Sequence, residues 1–214
     1  MRILFLKIAS MKYYKGVCPE DPAINGGGFV RENGFGHEEF NFLPIFLDGE
    51  DDPVCLGFVE PKATRGVRNT IHIEKIAGCA ALNKEPSVDD VLVIWCATMD
   101  TGDFTVVGWY RHAEVFRELQ DWVMEFDDGS EEERCYNVIA KAEDCVLLPS
   151  GERNRAVWSM PYDRYTRSYG FGQSMVWFPT EPAAEGFLSR LVENIDNYKG
   201  ENHLNAFPMP NPGK

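Results

Sequence analysis

Residues 11–42, MKYYKGVCPEDPAINGGGFVRENGFGHEEFNF, gather the side chains of this chain best suited to holding a ligand. Gly26, Gly27 and Gly28 permit positive φ or close approach of another group, and Gly34 and Gly36 repeat that permission. Around them stand Tyr13, Tyr14, Asn33, His37, Glu38 and Asn41, a set able to stack on a flat ring and to hydrogen-bond its edge. A long structural loop tied down by its own polar side chains fits the same composition, so both readings stand at this point.

Catalytic constellations are sparse. The four histidines are dispersed, and the six cysteines form no CxxC pair and have no histidine at ligand spacing, so buried free thiols are expected rather than a zinc site or disulfide framework. GGGF lacks the Gly-Lys-Ser/Thr of a phosphate loop, and there is no Gly-x-Ser-x-Gly elbow. Asp52, Glu60 and Lys62 superficially match the acids and lysine of a metal-dependent nuclease, where carboxylates hold Mg²⁺. Pro61 would end strand pairing where such a site needs it, and Asp52 sits in a run of acids. No catalytic residue, metal or cofactor is assigned.

The elements that must position a site are mostly strands. β-Branched and aromatic runs at 2–8, 42–47, 54–59, 69–76, 90–98 and 104–110 are bounded by Gly, Pro, Asp or Asn. DVLVIWCAT and FTVVGWY, joined by Met99 to Asp103, read as a hairpin. AEVFRELQDWVMEF fits a helix or a strand continued around a bend, and FDDGSEEE reads as a surface turn before strands in CYNVIAKA and CVLLP. SMVWF follows as a short strand after an Arg- and Tyr-rich loop. A helix is expected from about Glu181 to Tyr198, capped by Thr180, with Pro182 in its first turn and an apolar stripe through Ala184, Phe187, Leu188, Leu191, Val192 and Ile195. The expected fold is a single α+β domain over 1–200, a curved sheet or small β-barrel with a C-terminal amphipathic helix, followed by a Pro-rich tail or linker at 201–214.

MRILFLKIAS has too short an apolar run for a signal segment and reads as the first strand of a cytoplasmic protein. No apolar stretch approaches the roughly 18 to 20 residues of a membrane span, so no membrane partner is expected. The net charge of −13 opposes nucleic-acid binding, since phosphates need local positive potential. The charge is uneven, however. Lys62, Arg65, Arg68 and His72 form one basic segment, and Arg153, Arg155, Arg164 and Arg167 another; they make either a shared phosphate-contacting face or two solvated loops.

ILFLKIASMKYYKG, GGGFVRENGFGHEEFNF, VLVIWCAT, TVVGWYRHAEVFR, AEDCVLLP and GFGQSMVWF, in that order, resemble a bacterial domain found at the N-terminus of HNH-type, modification-dependent restriction endonucleases and in stand-alone relatives. The resemblance spans roughly residues 2 to 196. The chain departs from the pattern at Ser10, where Trp is expected, and at Met175, where Asn is expected, and either change bears on ligand preference. The resemblance implies a PUA-like fold of the EVE, YTH, ASCH and SRA group, with an aromatic pocket for a flipped, modified base, most naturally a modified cytosine in DNA. It places Ser10, Met11, Tyr13 and Tyr14 beside the ligand and Lys12 on phosphate. Trp109, Tyr110 and Trp177 become candidate ring faces, and Asn33, His37, Gln173 and Ser174 candidate edge contacts. Trp95, in the most apolar strand, reads as core; Trp109 and Tyr110 must point to opposite faces of a strand. No HNH motif is present, so any nuclease lies in a partner or a fused part. A small-molecule or nucleotide-derivative binding protein using the same pocket is the alternative.

Overall fold

The computed structural model describes residues 1–25, 36–47, 49, 51–61, 70–125, 129–161 and 169–205. Among them, eight strands form one open mixed sheet: β1 (Arg2–Ile8), β2 (Pro44–Ile45), β3 (Val54–Gly57), β4 (Ser87–Thr98), β5 (Phe104–Glu125), β6 (Glu131–Lys141), β7 (Cys145–Leu147) and β8 (Val176–Trp177). Their order is β2-β3-β6-β5-β4-β1-β8, with β7 also on β5. β1 runs parallel to β4 and every other pairing is antiparallel. Among the described residues, one α-helix, α1 (Glu185–Asp196), follows.

The expected hairpin joins β4 to β5: Gly102, at φ 89°, donates to the Met99 carbonyl, and Met99 donates to Asp103. The segment left between helix and strand is strand. Residues 114–125 of β5 bond to β6, so the backbone is satisfied by a neighbour instead of by its own turns. Earlier in the strand, Gly108 to Tyr110 use the same edge of β5 to pair with β7. One strand serving two neighbours along one edge has to bend. The bend falls where His112 (φ 49°) on β5 and Asp90 (φ 56°) on β4 both adopt left-handed backbone at a pair of register shifts, joined by a 2.8 Å His112 Nδ1 to Asp90 Oδ1 contact.

Several expected boundaries move. Residues 42–47 contribute only β2, and Phe58 and Val59 leave the ladder after β3 because the Asn41 and Asn137 side chains each bond one of them through both amide and carbonyl. The expected strand near 69–76 is a 3-10 turn at Ile73–Lys75 that drops Ile71, Ile73 and Ile76 into the core; residue 69 lies outside the described residues. Glu131 to Glu133 belong to β6 and not to a turn. α1 starts later than expected, after a 3-10 turn at Pro182–Ala184, and no side chain caps it, so Thr180 has no such role. Residues 201–205 pack onto the domain: Asn202 bonds the Leu147 amide and the Cys145 carbonyl, and Leu204 is buried. Among the described residues, no helix is long and apolar enough to cross a membrane.

Alternation along β1, β4 and β5 sends successive side chains to two cores. Ile3, Phe5, Ile94 and Trp109 pack under α1 with Trp158 and Trp177. Leu4, Leu6, Trp95 and Tyr110 enter the other core with Phe42, Cys55, Val138 and Leu204. The sheet curls around this second core so tightly that a Cβ on Gly57 of β3 would stand 2.4 Å from Trp95 Cζ2 of β4. These strands are separated by β6 and β5 in the sheet, so the contact crosses the interior. Gly57→Ala is therefore expected to overpack the core and cost about 1–3 kcal/mol by chemical denaturation. Gly151→Ala, where an added Cβ meets nothing within 4 Å, is the control expected to stay within about 0.5 kcal/mol.

Candidate functional site

The chain leaving β1 forms a cleft of about 290 Å³. Ser10, Met11 and Lys12 line one side, Met99 to Thr101 of the β4–β5 turn another, and Ser150, Arg153 and Asn154 a third. Ser10 is bridged to Ile24 through both backbone bonds, at 2.7 and 2.8 Å, and its hydroxyl points to the Met99 sulfur at 3.4 Å. No regular ladder holds residues 11–14, so buried charges do it. The Asp21 carboxylate, 2 % exposed, accepts the backbone amides of Lys12, Tyr13 (2.8 Å) and Tyr14 (3.2 Å). Arg153, 1 % exposed, donates to the carbonyls of Met11 (2.6 Å), Lys12 (2.8 Å) and Leu148 (2.9 Å). Buried groups bonded in this way are compensated for their desolvation and hold the wall rigid.

This clamp changes the role of two candidates. Arg153 spends its guanidinium on carbonyls and positions the loop, in place of the phosphate contact suggested by its place in an arginine-rich run. Tyr14 is buried at φ 54°, and its hydroxyl donates to the Ala9 carbonyl at 2.8 Å; burial pushes the phenol well above its ordinary pKa. Lys12 is exposed, with its ammonium 4.7 Å from the half-exposed Tyr13 ring.

The other candidates lie elsewhere. Trp109 is 1 % exposed and stacks on Trp158 at 5.5 Å; Tyr110 is fully buried against Trp95 and Phe42. They do face opposite sides of β5, and neither presents a ring face to the cleft. Trp177 is buried against Phe5, with its indole N–H on the Glu181 carboxylate at 3.2 and 3.3 Å. Gln173 and Ser174 are exposed ahead of β8, and the Ser174 hydroxyl accepts the Val176 amide. The His37 ring lies 5.0 Å from Phe58. Arg155 is exposed, paired with Glu152 at 2.7 Å, beside a separate cleft of about 500 Å³ between residues 149–158 and the end of α1. Asn33, Lys62, Arg65, Arg68, Arg164 and Arg167 lie outside the described residues. Asp52 bonds Lys141 at 2.9 Å, and no cluster of His, Cys, Asp or Glu suited to a metal occurs among the described residues.

Sequence reasoning missed Asp21 and the β4–β5 turn. Asp21 sits in a Pro-Glu-Asp-Pro run whose tight turn returns its amide to the Cys18 carbonyl, and an aspartate at such a turn is a detectable signal. Its reach back to residues 12–14 is set by tertiary contact. Glu38, adjoining the cleft's root, accepts the Ala9 amide at 3.3 Å. Burial holds its carboxyl above the ordinary range; bonds from its own and the Ala9 amide oppose this, and Glu60 adds to the rise.

Two outcomes test this construction. Arg153→Met leaves buried carbonyls without donors and is expected to cost on the order of 3 kcal/mol, whereas Arg155→Met stays within about 0.5 kcal/mol. Because the folded Glu38 carboxyl binds its proton more tightly than an unfolded one, stability from this group rises as pH falls through the raised value and levels off near about pH 4. Glu38→Gln, which keeps an oxygen for Ala9, is expected to be more stable than the parent at pH 7, with the advantage shrinking on acidification in urea titrations. A pH-independent difference would refute the assignment.

No family model, curated protein or solved structure matches this chain.

Proposed function

We propose that this chain is a non-catalytic reader of a modified base, a modified cytosine in DNA, serving restriction or another defence system, and that its curled sheet is of the PUA-like kind. The observation that carries the reading is the cleft at the end of β1. Its volume of about 290 Å³ is at the lower edge of the 300–1,000 Å³ typical of small-molecule sites, which suits one extruded base better than a dinucleotide cofactor. Its wall is held in place before any ligand arrives, so little ordering cost remains to be met on binding. The motif resemblance assigns residues 10–14 to the ligand, and the cleft is built on the first three of them.

Of the proposed ring faces, Trp109, Tyr110 and Trp177 are covered; Tyr13, which follows Lys12 at the cleft without lining it and lies against His203, is the ring left for stacking in this reading. Lys12 is the exposed cation next to it and serves as the phosphate contact. Cleavage, where it occurs, belongs to an HNH-type or other nuclease acting as partner. The second reading, a small-molecule or nucleotide-derivative binding protein, is favoured by Glu20 and Asp100 on the cleft and by the net charge of −13.

Salt separates the two. Binding is to be measured on matched duplexes carrying cytosine, 5-methylcytosine, 5-hydroxymethylcytosine or its glucosylated form. A base reader prefers one modified form, and its affinity falls steeply with salt; Lys12→Ala lowers the slope of log K against log salt by about 1, and Tyr13→Ala erases the preference. Absence of binding to every duplex at low salt would overturn the proposal in favour of the second reading.

A further inference from the structure

Beyond α1 the chain returns across β7 to the segment that walls the cleft. Residues 201–205 act there as a surrogate strand on β7. Asn202 Oδ1 accepts the amides of Leu147 and Leu204, both at 3.0 Å, and Asn202 Nδ2 donates to the Cys145 carbonyl at 2.8 Å. The His203 amide donates to the Leu147 carbonyl at 2.9 Å. Leu204 is buried, and its carbonyl accepts the Lys15 ammonium at 2.8 Å. The His203 ring lies 5.8 Å from the Tyr13 ring, at an interplanar angle of 30°.

His203 is the weak point of this strap. Its side chain is 15 % exposed, its Nδ1 is buried without a hydrogen-bond partner among the described residues, and its Nε2 stands 3.6 Å from Glu201 Oε1, too far for a good hydrogen bond. The charges facing it are Lys12 and Lys15 from the segment after β1, Arg153 from residues 149–158, and Glu201 on the strap itself. Three cations oppose one acid. An imidazolium here would be a fourth positive charge in a partly buried place, with one distant carboxylate to offset it.

We propose that residues 201–205 form a releasable strap on the cleft wall, docked while His203 is neutral and let go when His203 takes a proton, which frees Tyr13 and the Lys15 ammonium. Burial, with Arg153, Lys12 and Lys15, depresses the basicity of the docked ring, and only Glu201 acts against this. The sign follows from linkage. A released strap carries a histidine of ordinary basicity, near about 6.5, so below that pH the docked form loses ground about tenfold per pH unit until the docked ring itself protonates. Above about pH 7 the strap stays closed. The device concerns the protein wall and holds whichever ligand the cleft accepts.

NMR of the full chain tests it without any ligand. The His203 ring protons give its titration, the His203–Tyr13 cross-peaks report docking, and exchange of the Leu147 and Leu204 amides, corrected for intrinsic rates, reports strap opening. The expected result is that cross-peaks and protection fade together as pH falls below about 6.5, while Leu92 to Ile94 of β4 stay protected. His203→Gln stays docked below that pH, and Asn202→Ala opens the strap at every pH. Protection of Leu147 and Leu204 that does not change with pH, or the same change in His203→Gln, would overturn the proposal.

Discussion

The backbone ladder of β5 is the constraint on which the rest of this structure depends. A 22-residue strand offers its edges to β4, β6 and β7, and it can satisfy all of them only by bending at His112 opposite Asp90. That bend brings β3 and β6 round to face β4 and encloses Trp95, Tyr110 and Phe42 in one core. Glycine at position 57 is then required, because the Trp95 ring occupies the space where a side chain would be. The strand's other face packs Trp109 against Trp158 beneath the helix, so the same alternation supplies both cores.

Where the ladder stops, buried polar groups take over its work. Asn41 and Asn137 imitate strand partners for Phe58 and Val59. Glu39 accepts the Val17 amide and pairs with Arg134 at 3.0 Å, with both side chains nearly inaccessible and the guanidinium 4.7 Å from the Phe40 ring. Asp21 and Arg153 hold the loop at the cleft in the same manner. Each such group has left water and would destabilise the fold if its partner were removed, which makes these irregular segments as well determined as the strands around them. A ligand site built on such a loop meets rigid donors and acceptors.

The periodic parts of the fold were legible. The apolar runs ILFLKI and VLVIWCAT located β1 and β4 and assigned Trp95 to the core, and residue parity separated Trp109 from Tyr110, because side-chain direction in a strand alternates. The apolar stripe located α1, although its first turn is 3-10 and uncapped. Residues 114–125 were ambiguous because Val115, Phe116, Leu119, Trp122 and Val123 suit a helix while Ala113 to Arg117 can continue the strand around a bend; pairing with β6 decided between them. At the site, the structure puts Ser10 to Lys12 on a cleft, whereas the partition of the aromatics and arginines between interior and surface was not legible in the sequence. Arg153 and Arg155 stand two residues apart in one basic run, yet one is sealed inside and the other exposed.

By itself the sequence determined which residue types form the apolar runs, where glycine and proline interrupt, that the cysteines form no CxxC pair and that acids far outnumber bases. These are local or additive properties, carried by residue type and spacing. Tertiary structure alone decided that Asp21 reaches back to the amides of 12–14, that Arg153 serves carbonyls from far along the chain, and that residues 201–205 return to the cleft wall. Hydrogen bonds between groups distant in sequence depend on how the sheet curls, and the curl is a collective result of strand pairing and close packing that no short window of residues encodes.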